Sequence, residues 1–293
     1  MGNLFYYGKT PLNVSMSNID DSLESGVRTW SSQKISDTIN EINTAWHEAT
    51  NVKIGQCAEA GCNGVSIGSN AGAGSSAYTN TVAIGTSATV KASGAIAIGS
   101  NSAATGSSVI AIGAQSGSTA NTGPGNVFIG NGSGQLNTTG SNNVFLGPLS
   151  GHNNTTGRNN TFLGNGSGQS NTTGCYNTFL GPLSGYCNTT GRYNTFLGNG
   201  SGTENTTGSN NVFLGDGSGH SNTTGCYNTF LGDGSGYCNT TGSYKVIVGD
   251  LPDVNGNADF ALGHSGGNAD NNYLFTCNNH LYWCHGAVLD TIK

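Results

Sequence analysis

Three aspartates, Asp216, Asp233 and Asp250, recur at intervals of seventeen residues, and this column of carboxylates is the first arrangement in the chain with chemistry in it. Hard oxygen donors suit a cation, and two carboxylates at a defined separation are what glycoside hydrolysis requires. The same position earlier in the chain reads Asn131, Pro148, Asn165, Pro182 and Asn199. The column therefore drifts among turn-forming residues, and its carboxylates would stack as like charges. We read a solvated turn position, with a cation held by Asp216, Asp233 and Asp250 as the weaker reading. No Ser-His-Asp set and no pair of glutamates offers another constellation, so neither catalysis nor a cofactor is expected.

The eight cysteines raise metal binding and disulfides. Cys57 and Cys62 are separated by four residues and Cys277 and Cys284 by six, with His280 and His285 nearby, but none stands in a recognised zinc order. Cys175 and Cys187 are twelve apart, as are Cys226 and Cys238, and the second pair repeats the first 51 residues on. Twelve is not the repeat length, so neither pair shares a column and no intrachain disulfide is implied; a bond between chains stays open. The start of the chain lacks the basic flank and apolar core of a secretion signal, so the thiols are expected to be free at assembly. Asn-Thr-Thr tripeptides such as Asn188–Thr190 match the glycosylation acceptor pattern. Here they read better as turns closed by side-chain bonds to backbone.

These residues sit in an unusual background. Charged residues make up 8% of the chain and glycine contributes 49 of 293 residues. Such a composition permits disorder, but β-branched and aromatic residues recur on a strict period, which argues for order. The net charge of −6 carries no basic run, which excludes phosphate-driven nucleic-acid binding. Nowhere are there eighteen consecutive apolar residues, so no membrane insertion is expected.

The period is plainest in the tripeptides beginning at Val127, Val144, Thr161, Thr178, Thr195, Val212, Thr229 and Val246, each seventeen residues after the last. Each is a short alternating run closed by glycine and an Asn-rich turn, the pattern of one strand per coil of a β-solenoid. Upstream, Val65, Val82, Ile96 and Ile110 begin the same motif at spacings of 17, 14 and 14, and Phe260 restarts it after Val246. Alternation puts the two flanking residues of each tripeptide on one face and the central residue on the other. Which face is internal is left open. In either case a large apolar column needs cover, and a parallel homo-oligomer supplies it. We assign the central Phe128, Phe145, Phe162, Phe179, Phe196, Phe213 and Phe230 as contacts between its chains.

The ends differ. Ile35, Ile39, Ile42 and Trp46 follow an a/d spacing, which predicts a helix over 31–50, capped by Ser31 or Ser32, in a short bundle that adds contacts between chains. At the other end, Asn278-Asn279 is expected to turn between strands 273–277 and 280–284, placing Phe275 opposite Tyr282 in a hairpin that caps the solenoid. This end is rich in aromatics. Tyr273, Phe275, His280, Tyr282 and Trp283 are candidates for receptor binding, weighed against a role as plug.

Two sets of residues resemble known families. "VAIGTSA", "IAIGSNS" and "IAIGAQS" are similar to the head repeats of YadA-like trimeric adhesins, and "NTFLGNGSG…NTTG" resembles a variant found in bacteriophage tail fibres. "SGVRTWSSQKI" resembles a segment near the start of many phage tail, baseplate and head-fibre proteins. The resemblance implies a mainly β, trimeric, left-handed parallel β-solenoid shaft. Its expected divisions are a virion-attachment segment at 1–30, the helix at 31–50 and a linker at 51–64. A short-coil roll at 65–125, the seventeen-residue solenoid at 126–263 and a cap at 264–293 follow. It further implies a virion protein assembled in the host cytoplasm, docked to other virion proteins through its N-terminus. Its partner would be a bacterial surface glycan or protein, as for a tail fibre mediating host attachment. A head fibre or capsid decoration trimer is the first alternative and a polysaccharide-degrading fibre the second.

Overall fold

A tripeptide of the form Val/Thr-Phe-Leu favours strand because its branched and aromatic side chains suit a pleated surface, and the glycine after it lets the chain turn away at once. In the computed structural model, which describes residues 5–7, 10–12, 52–56, 58–60, 63–72, 77–118, 120–251, 259–265, 271–277, 280–285 and 288–292, each tripeptide is a three-residue strand. Every strand pairs in parallel, like residue on like, with its copies one coil before and after: Phe145 opposite Phe162, Phe162 opposite Phe179, and onward. The result is a β-solenoid, mainly β and without helix among the described residues. The helix expected over 31–50, with Ile35, Ile39, Ile42 and Trp46, lies outside them. Within the first thirty residues, Phe5–Tyr7 pairs antiparallel with Thr10–Leu12.

The central residue of each tripeptide faces inward. Phe128, Phe145, Phe162, Phe179, Phe196, Phe213 and Phe230 have no exposed surface in the single chain. Their assignment as contacts between chains is therefore corrected, since a ring enclosed by its own coil has nothing to offer another. Consecutive rings stack face to face with centroids 4.7–4.8 Å apart from Phe145 to Phe230 and planes within 7°. Each contributes roughly 1.5–3 kcal/mol by burial, and each stack adds about 0.5–1.5 kcal/mol. The opposite wall makes room with glycine: a Cβ at Gly168, whose φ is +57°, would lie 2.5 Å from the Phe162 ring.

Both coil length and inner residue vary along the solenoid. The coils starting at 82 and 96 have 14 residues and carry Ala83 and Ala97 inside, where a second parallel ladder of Thr89–Val90, Ala103–Ala104 and Gly117–Ser118 forms the opposite wall. The coils starting from 127 to 229 have 17 and carry phenylalanine. Length alone does not set the inner residue, since the coils starting at 65 and 110 also have 17 residues and carry Ser66 and Ala111 inside.

Two columns of buried asparagine brace the wide coils. In the first, the Asn177 Oδ1 accepts the Asn194 backbone N–H at 3.0 Å, and its Nδ2 donates to the Gly191 carbonyl at 2.8 Å. The pattern runs from Asn126 to Asn228, whose Oδ1 accepts from the Lys245 N–H. In the second, the Asn188 Nδ2 donates to the Asn171 Oδ1 at 2.8 Å, and the pattern continues to Asn239. A third column of serines, such as Ser167, donates from Oγ to the carbonyl of a phenylalanine in the next coil, here Phe179 at 3.1 Å. Buried amides and hydroxyls are costly unless bonded, and each finds its partner one coil away. Asn121, at the head of the second column, keeps a buried Nδ2 with no partner among the described residues.

The ladder begins earlier than the boundary of 65 expected from the sequence. Val52–Ile54 pairs in parallel with Val65–Ile67, so part of the expected linker is already a rung. Lys53 hides this in the sequence, because it occupies the inward position taken by Ser66 and Ala83 in the next coils. At the last rung that position is exposed, and a lysine is tolerated.

Replacing Phe179 by Ala should lower stability by roughly 3–5 kcal/mol, and Phe179→Leu by much less. Hydrogen exchange should report the Ala variant's loss of protection centred on the coils from 162 to 196 rather than spread evenly along the shaft.

Candidate functional site

At the C-terminal end the rise of the solenoid gives way to an antiparallel meander. Phe260–Ser265 pairs in parallel with Val246–Val248 on one side and antiparallel with Asn271–Cys277 on the other, followed by His280–His285 and Val288–Ile292. The turn expected at Asn278-Asn279 lies outside the described residues, while the expected pairing is present, with Phe275 opposite Tyr282. Their rings stack at 5.3 Å.

The five aromatic and histidine candidates divide between the two faces of this sheet. The register carries the inward column from Phe230 through Ile247 and Ala261 to Phe275, which is 2% exposed. Phe275 is thus the plug of the core and is closed to a receptor. Tyr273, on the same face, is partly buried and packs on Phe275. Burial, together with a side-chain hydrogen bond to Cys284, pushes its phenol up to about 12. Tyr282 shares this face and is half-buried, while His280 tilts against it and is exposed. Trp283 lies on the opposite, outward face, at 38% exposure.

That outward face continues a feature of the whole shaft. The residues flanking each central phenylalanine point away from the coil: Val144, Leu146 and Leu163 are about 40% exposed. From Leu231 the register runs through Val248, Leu262 and Leu274 to Trp283. One apolar stripe therefore runs from the shaft into the cap. Beside it, at the corner before each strand, stand Tyr176, Tyr193, Tyr227 and Tyr244. All four are strongly exposed, hold φ between 57° and 61°, and stack in two pairs with centroids 5.0 Å apart. Asn142, Asn159 and Asn210 hold the same corner, as expected for a left-handed site. A tyrosine there is the costlier choice, and strain kept at an exposed position points to a surface role.

The aspartate column does not assemble a metal centre. Asp216 accepts from the Asn199 Nδ2 at 3.0 Å, and Asp250 turns to the His264 Nδ1 at 2.5 Å. Among the described residues no three His, Cys, Asp or Glu side chains converge to hold an ion. Cys175, Cys187, Cys226, Cys238 and Cys284 form no disulfide among the described residues, and the Cys187 thiol is pushed up by burial and by the Glu204 carboxylate. No described helix is long and apolar enough to cross a membrane. No protein-family model matches the chain, and no curated protein matches it in sequence.

Two features escaped sequence reasoning. The continuity of the stripe into Trp283 depends on the antiparallel register of the cap. A groove of about 360 Å³ between Leu183 and Tyr237 depends on which corner residues fall side by side. Only the spacing of seventeen could have pointed to the groove.

Because the folded Tyr273 phenol is raised above its ordinary value of 10, an unfolded chain ionises first as pH rises. The cap's stability from this group is complete below pH 10 and is lost on the way to pH 12. Spectrophotometric titration should show one late-ionising tyrosine, absent from Tyr273→Phe.

Proposed function

We propose that the chain is a homotrimeric virion fibre of a bacteriophage, acting as a tail fibre in attachment to the host cell. The observation that carries this reading is the apolar stripe. A row of outward Val, Ile and Leu side chains runs along the shaft into the cap, partly exposed at every rung, and a long contiguous apolar stripe of this kind marks an interaction surface. The cover must match it coil for coil. A second and third copy of the same chain, parallel and in register, do so at every rung, which agrees with the left-handed three-chain rolls of the adhesin head repeats that the sequence resembles. The trimer contacts are then the outward Leu146, Leu163, Leu180 and their equivalents.

The second support is the segment "SGVRTWSSQKI", whose resemblance to the leading parts of phage tail and head-fibre proteins makes the N-terminus the docking end. The cap is then the distal end, where Trp283 and His280 remain exposed. The receptor in this reading is a bacterial surface glycan or protein.

Light scattering on the purified protein should give three times the chain mass. Leu180→Asp combined with Leu197→Asp should shift it to monomer while the strand signal in circular dichroism persists; a monomeric wild type would refute the trimer. On the particle, an antibody against residues 250–293 viewed by electron microscopy should label the tail tip. Label spread over the capsid would replace the tail fibre with a head fibre.

A further inference from the structure

At the corner after each strand the chain places one residue at φ near +57°, and the column reads Gly132, Leu149, Gly166, Leu183, Gly200, Gly217, Gly234. Leucine occupies this left-handed corner twice, so the backbone does not itself demand glycine there. At Gly132 and Gly166 the missing side chain is replaced by the leucine of the next coil, whose Cδ2 would lie 3.0 and 3.1 Å from an added Cβ. After Leu183 three glycines follow in succession with no leucine over them; only the edge of the Tyr237 ring approaches, 3.4 Å from a Cβ added at Gly217. A Cβ at Gly234 would meet no atom within 4 Å, and one at Gly200 only the Thr203 hydroxyl.

The three bare corners form the floor of the groove, and Leu183 closes one end. Along one wall stand Asn199, Asp216 and Asp233, in successive coils. Along the other stand Thr203, His220 and Tyr237, the last two with rings stacked at 4.7 Å. Its volume falls at the lower end of the range for small-ligand sites. No lysine or arginine lines it, so it repels anions.

We propose that this groove binds a short stretch of a neutral, linear polysaccharide. The walls offer carboxylate and amide oxygens on one side, and a phenol, an imidazole and a hydroxyl on the other. That combination bonds vicinal hydroxyls while ring edges cover the apolar parts of a sugar. Wall groups recur once per coil, about every 4.8 Å, close to the advance of one pyranose unit in an extended chain. Among the described residues no three His, Cys, Asp or Glu side chains converge in the groove to hold a metal ion.

This goes beyond the attachment reading and is tested without it, on free sugars and pure full-length protein. Saturation-transfer NMR with cellotriose, chitotriose and maltotriose should show contact with at least one of them. Gly217→Leu, which fills the floor with the residue that positions 149 and 183 already carry, should weaken that binding at least tenfold. Asp233→Asn, matching Asn165 and Asn199 in its column, should weaken it severalfold with an unchanged melting temperature, and stands in if the leucine variant fails to fold. Absence of contact with all three sugars, or binding that neither variant alters, would overturn the proposal. So would displacement of the sugar signal by a lysine-rich peptide that binds more tightly.

Discussion

The fold depends on each buried side chain meeting its own copy one coil along. The phenylalanine rings stack on phenylalanine, the asparagine amides bond to asparagine, and the serine hydroxyls reach a carbonyl of the next coil. Buried amides carry a desolvation penalty that only a correctly placed partner removes, so a slip of one residue in any rung would orphan a set of them. The repeat of seventeen is the consequence. A chain that must present the same donor and acceptor at the same height in every coil has little freedom to vary those positions, and spends its variation on the outside.

That division explains why the exterior carries the individuality of the molecule. Corner positions that share one backbone conformation hold Asn or Tyr in one column and Leu or Gly in another. Neither choice disturbs the ladder, because the inner columns supply the stability. Substitution at a corner changes only what a partner would meet: a stacked pair of tyrosines, a leucine ridge, or the bare floor of a groove. A rod of this kind is a rigid rack on which surface groups repeat at a spacing near 4.8 Å, suited to extended partners with a similar repeat, including further copies of itself.

The cap obeys the same logic by other means. Its antiparallel strands end the templating, since a meander turns back on itself, and they carry both faces of the shaft to their conclusion. The inward column finishes at Phe275, and the outward stripe runs on to Trp283. Edge exposure, the standing hazard of an open ladder, is limited at this end by the strands that continue the sheet to Ile292.

Much of this architecture was legible in the sequence, because a period of seventeen with alternating side chains and glycine stops has few other physical meanings. The strands, their parallel succession and the Phe275–Tyr282 pairing in the cap all follow from local pattern. The inward orientation of the phenylalanines did not. Alternation separates two faces without saying which is enclosed, and only the folding of the coil, which brings the glycine six residues on against each ring, makes one of them the interior. The same limit hid the rung at Val52–Ile54, the asparagine ladders and the groove. Each is a relation between residues of neighbouring coils, where the closure of the coil decides the neighbours.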